Sequence, residues 1–352
     1  MGDLQVETNK SLLTMNTMAL ASSAEYFCSV STINEVKKAL SFAREHDLSV
    51  TPLGAGSNVV LASNLSGLVV HLALKGWEST VPLGIASGFV DVTFAAGENW
   101  HDMVVMCLDK GWFGLENLSL IPGNMGAAAI QNIGAYGVEL SSLLVSLQII
   151  DIQSGKCTEL PAEACQFSYR DSVFKQSLKD KCIITQVTLR LSTEANINID
   201  YPALNAYFAA LEKEPTPQLV ADAVCEIRRE KLPYPSELAN VGSFFKNPVI
   251  ERSTLVHVQA VGGDVEVPFY PQADESVKVP AAWLIDQCKF RGVRRGGVGV
   301  HDRQALVLVN YSNEINNDSA KEVLALAKEI QAAVKVRFGI ELEVEPRIYG
   351  AF

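Results

Sequence analysis

The first periodic stretch of the chain, residues 32–46, predicts an amphipathic helix. Its apolar side chains recur at helical spacing and share one face: Ile33, Val36, Leu40 and Ala43. Thr32 and Glu35 stand three residues apart at the start of the stretch, which is the spacing of a capping box. The pattern therefore predicts that the helix begins at Thr32.

A glycine-rich loop, GAGSN at 54–58, follows a strand-like run at 49–53. The next residues, 59–61, are apolar and mostly β-branched, and they predict a second strand rather than a helix. A Rossmann fingerprint needs a third glycine on a turn that leads directly into a helix, and Val59 stands at that position. The loop is therefore either a cradle for a phosphate, built from backbone N–H groups, or a plain turn.

Further elements follow from alternation and capping. We expect a strand at 90–94, a helix at 100–108 and a long helix at 319–338. Asp318 is placed to cap the long helix and Gly339 to stop it. A terminal strand is predicted by the alternation with glutamates of three apolar residues: Ile340, Leu342 and Val344.

The segment 121–137, IPGNMGAAAIQNIGAYG, has four glycines, four alanines and almost no charge. Small residues at this density allow another backbone or a flat ligand to approach closely. The segment therefore predicts either a tight structural crossing or part of a ligand site.

Composition limits the classes of function. The 352 residues suffice for two or three domains, and the pattern thins around 194–220, where we place the main domain boundary. A net charge of −11 argues against a nonspecific nucleic-acid binder, which needs a basic surface. No run approaches the ~20 apolar residues of a membrane span, and the N-terminus lacks a secretory pattern, so we expect a cytoplasmic protein.

The cysteines indicate neither metal nor disulfide chemistry. They are odd in number, widely scattered and never in a C-x-x-C pair, so we expect mainly buried free thiols. The seven positions are 28, 107, 157, 165, 182, 225 and 288.

Eight motifs occur in the order that is typical of one enzyme family. They are GAGSN, AGENW, GLENLSLIPGNMGAAAIQNIGAYG, FSYRDSVFK, KLPYP, GSFFKNP, YPQADESVK and AAWLIDQC. Through these motifs the chain resembles the UDP-N-acetylenolpyruvoylglucosamine reductases over residues 16–350.

The resemblance implies an α+β fold, with an FAD-binding module of the vanillyl-alcohol-oxidase/PCMH type followed by a substrate-binding C-terminal domain. The implied boundaries are 1–80 and 81–212 for two FAD-binding subdomains and 213–352 for the C-terminal domain, whose last strand returns to the active site. It further implies noncovalent FAD, NADPH as the hydride donor and a UDP-sugar substrate, UDP-N-acetylglucosamine enolpyruvate. A monomer without a metal, nucleic-acid or membrane partner is expected.

The same resemblance assigns site residues, motif by motif. Cofactor binding falls on Gly54, Gly56, Ser57, Asn58, Ile121, Gly123, Gly126, Ala127, Ile130, Gln131, Gly134 and Tyr136. Substrate binding falls on Tyr201, Lys231, Asn247, Tyr270, Gln272 and Lys278. Tyr201 lies in the inserted segment with which one type of this family closes a tyrosine over the substrate. The catalytic positions are Arg170, Ser243 and Glu345.

The side chains at these catalytic positions have the chemistry that the implied reaction needs. Hydride addition to an alkene conjugated to a carboxylate drives negative charge onto that carboxylate, which Arg170 can stabilise. Ser243 can protonate the neighbouring carbanion-like carbon. Each residue also has a plain alternative, which is a surface ion pair for Arg170, a turn for Ser243 and a solvated strand face for Glu345.

A few basic residues in one cleft can neutralise the negative charge of the substrate's diphosphate, although the net charge of the protein is negative. The candidates are Lys231 and Lys278, with Arg228 and Arg229 nearby.

Three positions depart from the family pattern. Glu275 stands where a glycine is usual, Met18 where an aromatic residue is usual, and Pro346 interrupts the usual Glu-Val-Arg. Pro346 removes a backbone donor and favours an extended Glu345.

Two other functions remain open. An FAD-dependent oxidase of the same superfold would use oxygen and often holds its flavin through His or Cys. A catalytically inactive nucleotide-binding protein would keep the glycine loops without Arg170 and Ser243, and both residues are present.

Overall fold

The computed structural model describes residues 4–84, 87–263, 265–272, 274–312 and 318–350. These residues form eight α-helices: α1 (Ile33–Glu45), α2 (Trp100–Asp109), α3 (Met125–Ile130), α4 (Pro202–Leu211), α5 (Pro217–Lys231), α6 (Arg252–Gly262), α7 (Ala281–Gln287) and α8 (Ser319–Phe338).

The same ranges contain twenty strands. They are β1 (Glu7–Ser11), β2 (Ser23–Val30), β3 (Val50–Leu53), β4 (Val59–Leu61), β5 (Leu65–Leu72), β6 (Trp77–Thr80), β7 (Phe89–Ala95), β8 (Gly134–Ala135), β9 (Val138–Glu139), β10 (Leu144–Asp151), β11 (Cys157–Pro161), β12 (Cys182–Ser192), β13 (Ala239–Ser243), β14 (Val249–Ile250), β15 (Tyr270–Pro271), β16 (Val277–Lys278), β17 (Arg294–Arg295), β18 (Val298–Val300), β19 (Val307–Asn310) and β20 (Arg347–Tyr349). Helices and strands are thus mixed, which confirms the predicted α+β class.

The chain divides into two compact units. The first unit comprises the residues up to Lys10, Ala24–Ala55 and Ser66–Glu230. The second unit comprises Ser11–Ser23, Gly56–Leu65 and the residues from Lys231 onward. The predicted three-part division at residues 80 and 212 stays a prediction.

The first unit contains two main sheets and a hairpin. The sheets have the strand orders β1-β2-β5-β3 and β11-β10-β12-β7-β6, and the hairpin is β8-β9. β3 and β5 run parallel, whereas β12 pairs antiparallel with both β7 and β10. Alternate residues of β12 are buried because one face of the sheet covers the core around Phe94 and Trp100.

The second unit is built around α8 and the sheet β13-β19-β18-β17. Phe244, Ile330 and Phe338 lie in its hydrophobic core and are fully buried. Two smaller sheets complete the unit, with the strand orders β14-β16-β15 and β20-β4.

Most locally encoded elements are confirmed. Thr32 and Glu35 form both hydrogen bonds of the capping box, and Val59–Leu61 is a strand. The long helix spans the predicted residues, and Gly339 follows it in the left-handed conformation with φ +69°. The predicted cap is wrong in one respect, because the Asp318 side chain makes no capping hydrogen bond. It pairs with Lys321 instead.

Two other expectations need correction. The terminal strand is wrong in position, because 340–345 forms only an isolated bridge at Val344 and the strand β20 follows it. All seven cysteines are free as expected, but Cys157 is exposed.

Candidate active site

In the first unit, the start of the glycine-rich loop lies against Asn124. The Oδ1 atom of Asn124 accepts a hydrogen bond from the backbone N–H of Ala55 at 2.5 Å. Its Nδ2 atom donates to the carbonyl of Gly97 at 3.0 Å. A Cβ atom at Gly54 would lie 2.9 Å from Asn124 Oδ1, so a larger residue there would displace the Asn124 amide. Asn124 therefore joins three of the motifs, although it was absent from the predicted site.

The later part of the loop belongs to the second unit. Gly56 has φ +64°, and a Cβ atom there would lie 2.1 Å from the carbonyl oxygen of Met15. The carbonyl of Asn58 accepts a hydrogen bond from the N–H of Arg347 at 3.0 Å. Because β4 begins at Val59, the loop leads into a strand, as predicted, and the Rossmann interpretation is excluded.

The small residues of 121–137 allow a close backbone crossing. The N–H of Gly126 donates to the carbonyl of Ala96 at 3.0 Å, and a Cβ atom on Gly126 would lie 2.6 Å from Cβ of Ala96. The N–H of Trp100 donates to Gly123 at 3.0 Å. The structural crossing is therefore real. Nearby Ala127 is exposed and three further assigned residues are partly exposed, namely Ile121, Ile130 and Gln131.

Arg170 is oriented by the backbone next to this segment. Its guanidinium donates to the carbonyls of Asn132 and Gly134, the first at 3.4 Å. A Cβ atom at Gly134 would lie 3.0 Å from Nη1 of Arg170. Arg170 itself has φ +54°, an uncommon conformation for a residue other than glycine. Strained backbone of this kind clusters at functional sites, which favours a functional interpretation of Arg170.

Tyr136 shares the left-handed conformation, with φ +48°. Asn117, which was also absent from the predicted site, donates from Nδ2 to the carbonyls of Tyr136 and Asn198, each at 2.9 Å. The Tyr136 ring meets the Tyr201 ring edge-on with centroids 5.3 Å apart. Burial raises the pKa of the Tyr136 hydroxyl, so it is a neutral donor at neutral pH. Tyr201 is the residue before the first turn of α4, makes no side-chain capping hydrogen bond and is exposed.

In the second unit, Ser243 ends β13 beside an irregularity in the strand. The register between β13 and β19 shifts between Asn240 and Ser243, and Gly242 between them has φ +73°. Bulges of this kind redirect a side chain and are frequent next to active sites. Among the described residues, the Ser243 hydroxyl makes no hydrogen bond.

The segment that carries Glu345 is hydrogen-bonded to the residues that follow Ser243. The N–H of Glu345 donates to the carbonyl of Phe244 at 3.0 Å, and Lys246 donates to Glu343 at 2.9 Å. Glu345 is half-buried, whereas Glu341 and Glu343 are exposed. The solvated-face alternative therefore fits those two glutamates better than it fits Glu345. Pro346 is buried and leaves this pairing intact.

Two of the assigned substrate residues of the second unit, Tyr270 and Lys278, lie on its three-stranded sheet. Tyr270 of β15 is paired with Lys278 of β16, and the Gln272 amide donates to the carbonyl of Tyr270 at 2.9 Å. Asn247 accepts from the first N–H of α7 through Oδ1 at 2.9 Å. Lys231 is exposed at the end of α5.

The assigned residues thus fall into two sets. The first unit holds Gly54, the cofactor residues of 121–136, Arg170 and Tyr201. The second unit holds the other assigned residues: Gly56, Ser57, Asn58, Lys231, Ser243, Asn247, Tyr270, Gln272, Lys278 and Glu345.

The first unit has features that fit a large flat cofactor. Glycines line its loops where side chains would clash, and Arg228 has a buried Nε atom without a hydrogen-bond partner among the described residues. Buried polar atoms are normally paired, so such an atom indicates a partner supplied from outside the chain. Within the described part of the chain, no cluster of His, Cys, Asp or Glu could hold a metal ion, and no helix is long and apolar enough to cross a membrane.

Comparison with known proteins agrees with the geometry. The model of the UDP-N-acetylenolpyruvoylglucosamine reductase C-terminal domain matches residues 234–349, and an FAD binding domain model matches residues 24–161. The reductase of Amoebophilus asiaticus is 40% identical over 98% of this chain and 99% of its own length. The reductase of Paraburkholderia phymatum is 45% identical over 94% of each chain. The chain belongs to the UDP-N-acetylenolpyruvoylglucosamine reductase family.

A solved structure supports the fold. The UDP-N-acetylenolpyruvylglucosamine reductase of Thermus caldophilus aligns over 99% of both chains with a TM-score of 0.64 at 22% identity. The identity to named reductases confirms the family resemblance inferred from the motifs. The match to the FAD binding domain model confirms the predicted FAD-binding fold. The same domain model confirms FAD as the cofactor.

Proposed function

We propose that this protein reduces UDP-N-acetylglucosamine enolpyruvate to UDP-N-acetylmuramate, with NADPH as hydride donor and FAD as carrier. The reaction belongs to peptidoglycan precursor synthesis in the cytoplasm. One observation carries the proposal, which is the likeness to named reductases along 98% of the chain, with the three catalytic residue types present at their motif positions.

Bound FAD supplies the hydride relay, since NADPH and the alkene do not have to meet directly. The chain's own residues then have two tasks, which are to stabilise charge on the substrate carboxylate and to deliver a proton to the adjacent carbon.

Arg170 performs the first task in this proposal. Its guanidinium is already oriented by the carbonyls of Asn132 and Gly134, so little orientation entropy remains to be lost when a carboxylate arrives. A fixed planar cation of this kind stabilises charge as it develops.

Ser243 performs the second task. A serine hydroxyl is a weak acid, but an enolate-type carbon is basic enough to accept its proton. The absence of an internal hydrogen bond in the described structure leaves the proton free for transfer. Glu345 lies on the segment bonded to Phe244, the residue after Ser243, and its carboxyl group can return a proton to this region.

The spectrum of the purified protein tests the proposal. We expect a flavin spectrum, bleaching when NADPH is added without oxygen, and recovery when the enolpyruvyl sugar nucleotide follows. UDP-N-acetylglucosamine, which lacks the alkene, is the control and must leave the flavin bleached. Acid precipitation should release all the colour, because the FAD is expected to be noncovalent.

The two alternative functions predict different results in the same spectroscopic experiment. Recovery with oxygen alone at a catalytic rate, or flavin retained in the acid pellet, would indicate the oxidase. A protein that neither bleaches with NADPH nor recovers would be the inactive nucleotide binder.

A further inference from the structure

His101 lies in the first turn of α2 and is bonded to the residue that precedes the small-residue segment 121–137. Its Nδ1 atom accepts a hydrogen bond from the backbone N–H of Leu120 at 3.0 Å. Because a backbone N–H only donates, Nδ1 carries no proton, and the ring is neutral with its proton on Nε2. Protonation of the ring would place a proton on Nδ1 and remove this bond.

The backbone of Leu120 depends on such a bond. Leu120 has φ +58°, in the left-handed region, where a residue with a side chain is sterically disfavoured. Trp100, in the same turn of α2, bonds the residues on either side. Its backbone N–H donates to the carbonyl of Gly123 at 3.0 Å, and its indole N–H donates to the carbonyl of Leu118 at 2.8 Å. The first turn of α2 therefore fixes the chain where it enters the segment that holds the assigned cofactor residues.

The surroundings of His101 favour the neutral ring. Burial lowers the pKa of the imidazole, Asp102 on the same helix opposes this shift, and the positive charges of Arg229 and Arg228 at the end of α5 add to it. The positive end of the α2 dipole acts in the same direction as the two arginines. Nδ1 is therefore available as an acceptor at neutral pH.

We propose that His101 is a positioning residue for FAD, whose neutral ring holds Leu120 in the left-handed conformation that leads the chain into the cofactor segment. His101 acts through the backbone and needs no contact with the cofactor. FAD binding then favours the unprotonated ring. The affinity should be constant above about pH 6.5, the ordinary pKa of histidine, and should weaken by up to about tenfold per pH unit below it. The proposal rests on the proposed function only for the binding of FAD.

The pH profile of the FAD dissociation constant tests this role without either substrate. The constant is obtained from the fluorescence of free FAD when the holoenzyme is diluted at a series of pH values. His101→Asn places an amide oxygen near the position of Nδ1 and has no group that titrates, so it should keep the affinity at neutral pH and lose the weakening below about pH 6.5. His101→Ala lacks the acceptor and should bind FAD about tenfold more weakly at neutral pH.

Two further variants separate positioning from a general structural role. His46→Asn, at the exposed histidine that follows α1 in the same unit, is the matched control and should keep the wild-type profile. Leu120→Gly should restore part of the affinity lost in His101→Ala, because glycine adopts the left-handed conformation without a steric penalty.

Several results would overturn the proposal. One is a wild-type profile that is flat below about pH 6.5, and another is an unchanged profile in His101→Asn. A third is a His101→Ala protein that loses thermal stability but binds FAD like the wild type, since that would be a purely structural effect. If His101→Ala does not fold, the profiles of the wild type and His101→Asn decide. Failure to turn over the sugar nucleotide would contradict the proposed function and leave this measurement valid.

Discussion

Three residues that the motifs single out have left-handed backbone. Arg170, Tyr136 and Glu275 have φ values of +54°, +48° and +67°. For Glu275 this conformation explains why glycine is usual at the equivalent family position, since glycine adopts it without a steric penalty. For Arg170 and Tyr136, the surrounding hydrogen bonds to Gly134 and Asn117 hold the conformation. The motifs assign roles to these side chains but do not predict their backbone conformations, which depend on contacts distant in sequence.

The role of Ser243 can be separated from that of a turn residue by kinetics. Ser243→Ala should leave flavin reduction by NADPH near normal, because that step needs no proton from serine. Reoxidation of the flavin by the enolpyruvyl substrate should slow by about 10²–10⁴-fold, the usual contribution of a general acid. Stopped-flow absorbance measures each half-reaction separately. Ser243→Cys should recover part of the rate.

The control for this experiment is Ser253→Ala, at an exposed serine of α6 in the same unit. It should leave both half-reactions unchanged. Normal reoxidation in Ser243→Ala would remove Ser243 from the mechanism.

At the scale of elements, local signals predicted well and long-range pairing did not. The capping box at Thr32 and the stop at Gly339 are encoded within a few residues, and both occur as expected. The alternation near Ile340 correctly predicted burial, with Ile340 and Leu342 buried. It could not predict that the regular strand pairing would begin only at Arg347, beside β4. The partners of a strand depend on residues far away in sequence, which the alternation does not record.

The crossing of α3 over Ala96 gives a prediction at this scale. A Cβ atom at Gly126 would lie 2.6 Å from that of Ala96, so Gly126→Ala forces the two backbones apart. Overpacking of this kind costs about 1–3 kcal/mol, and the protein with the displaced helix should also lose affinity for FAD. Thermal unfolding and fluorescence titration of FAD into the apoprotein measure the two effects.

Gly262→Ala is the matched control, because its Cβ atom would meet the nearest atom, on Trp283, at 3.3 Å in the last turn of α6. The contact at Gly262 is less severe than the one at Gly126, so this variant should lose less stability than Gly126→Ala and should bind FAD normally. Equal stability and FAD affinity of Gly126→Ala and the wild type would show that the crossing tolerates displacement.

At the scale of the whole molecule, the assigned functional residues are shared by two units that are interleaved along the chain. The glycine-rich loop itself changes unit between Ala55 and Gly56. This set of residues was assigned from the motifs, because the order of the motifs along the chain is typical of the family. Composition and periodicity alone predicted only an acidic protein of two or three domains with helices and strands, since neither records which distant residues act together.

The last prediction concerns the order in which the whole enzyme uses its two substrates. The sequence contains no Rossmann dinucleotide fingerprint that would form a separate NADPH site, so NADPH and the sugar nucleotide are expected to occupy the same binding site in turn. Flavin reduction is then complete before the enolpyruvyl substrate binds, which is a ping-pong scheme. Initial rates measured over a grid of both substrate concentrations should give parallel double-reciprocal lines. Each substrate should also inhibit at high concentration, because each competes for the enzyme form that binds the other. Lines that intersect in the absence of product would require a ternary complex and a separate NADPH site.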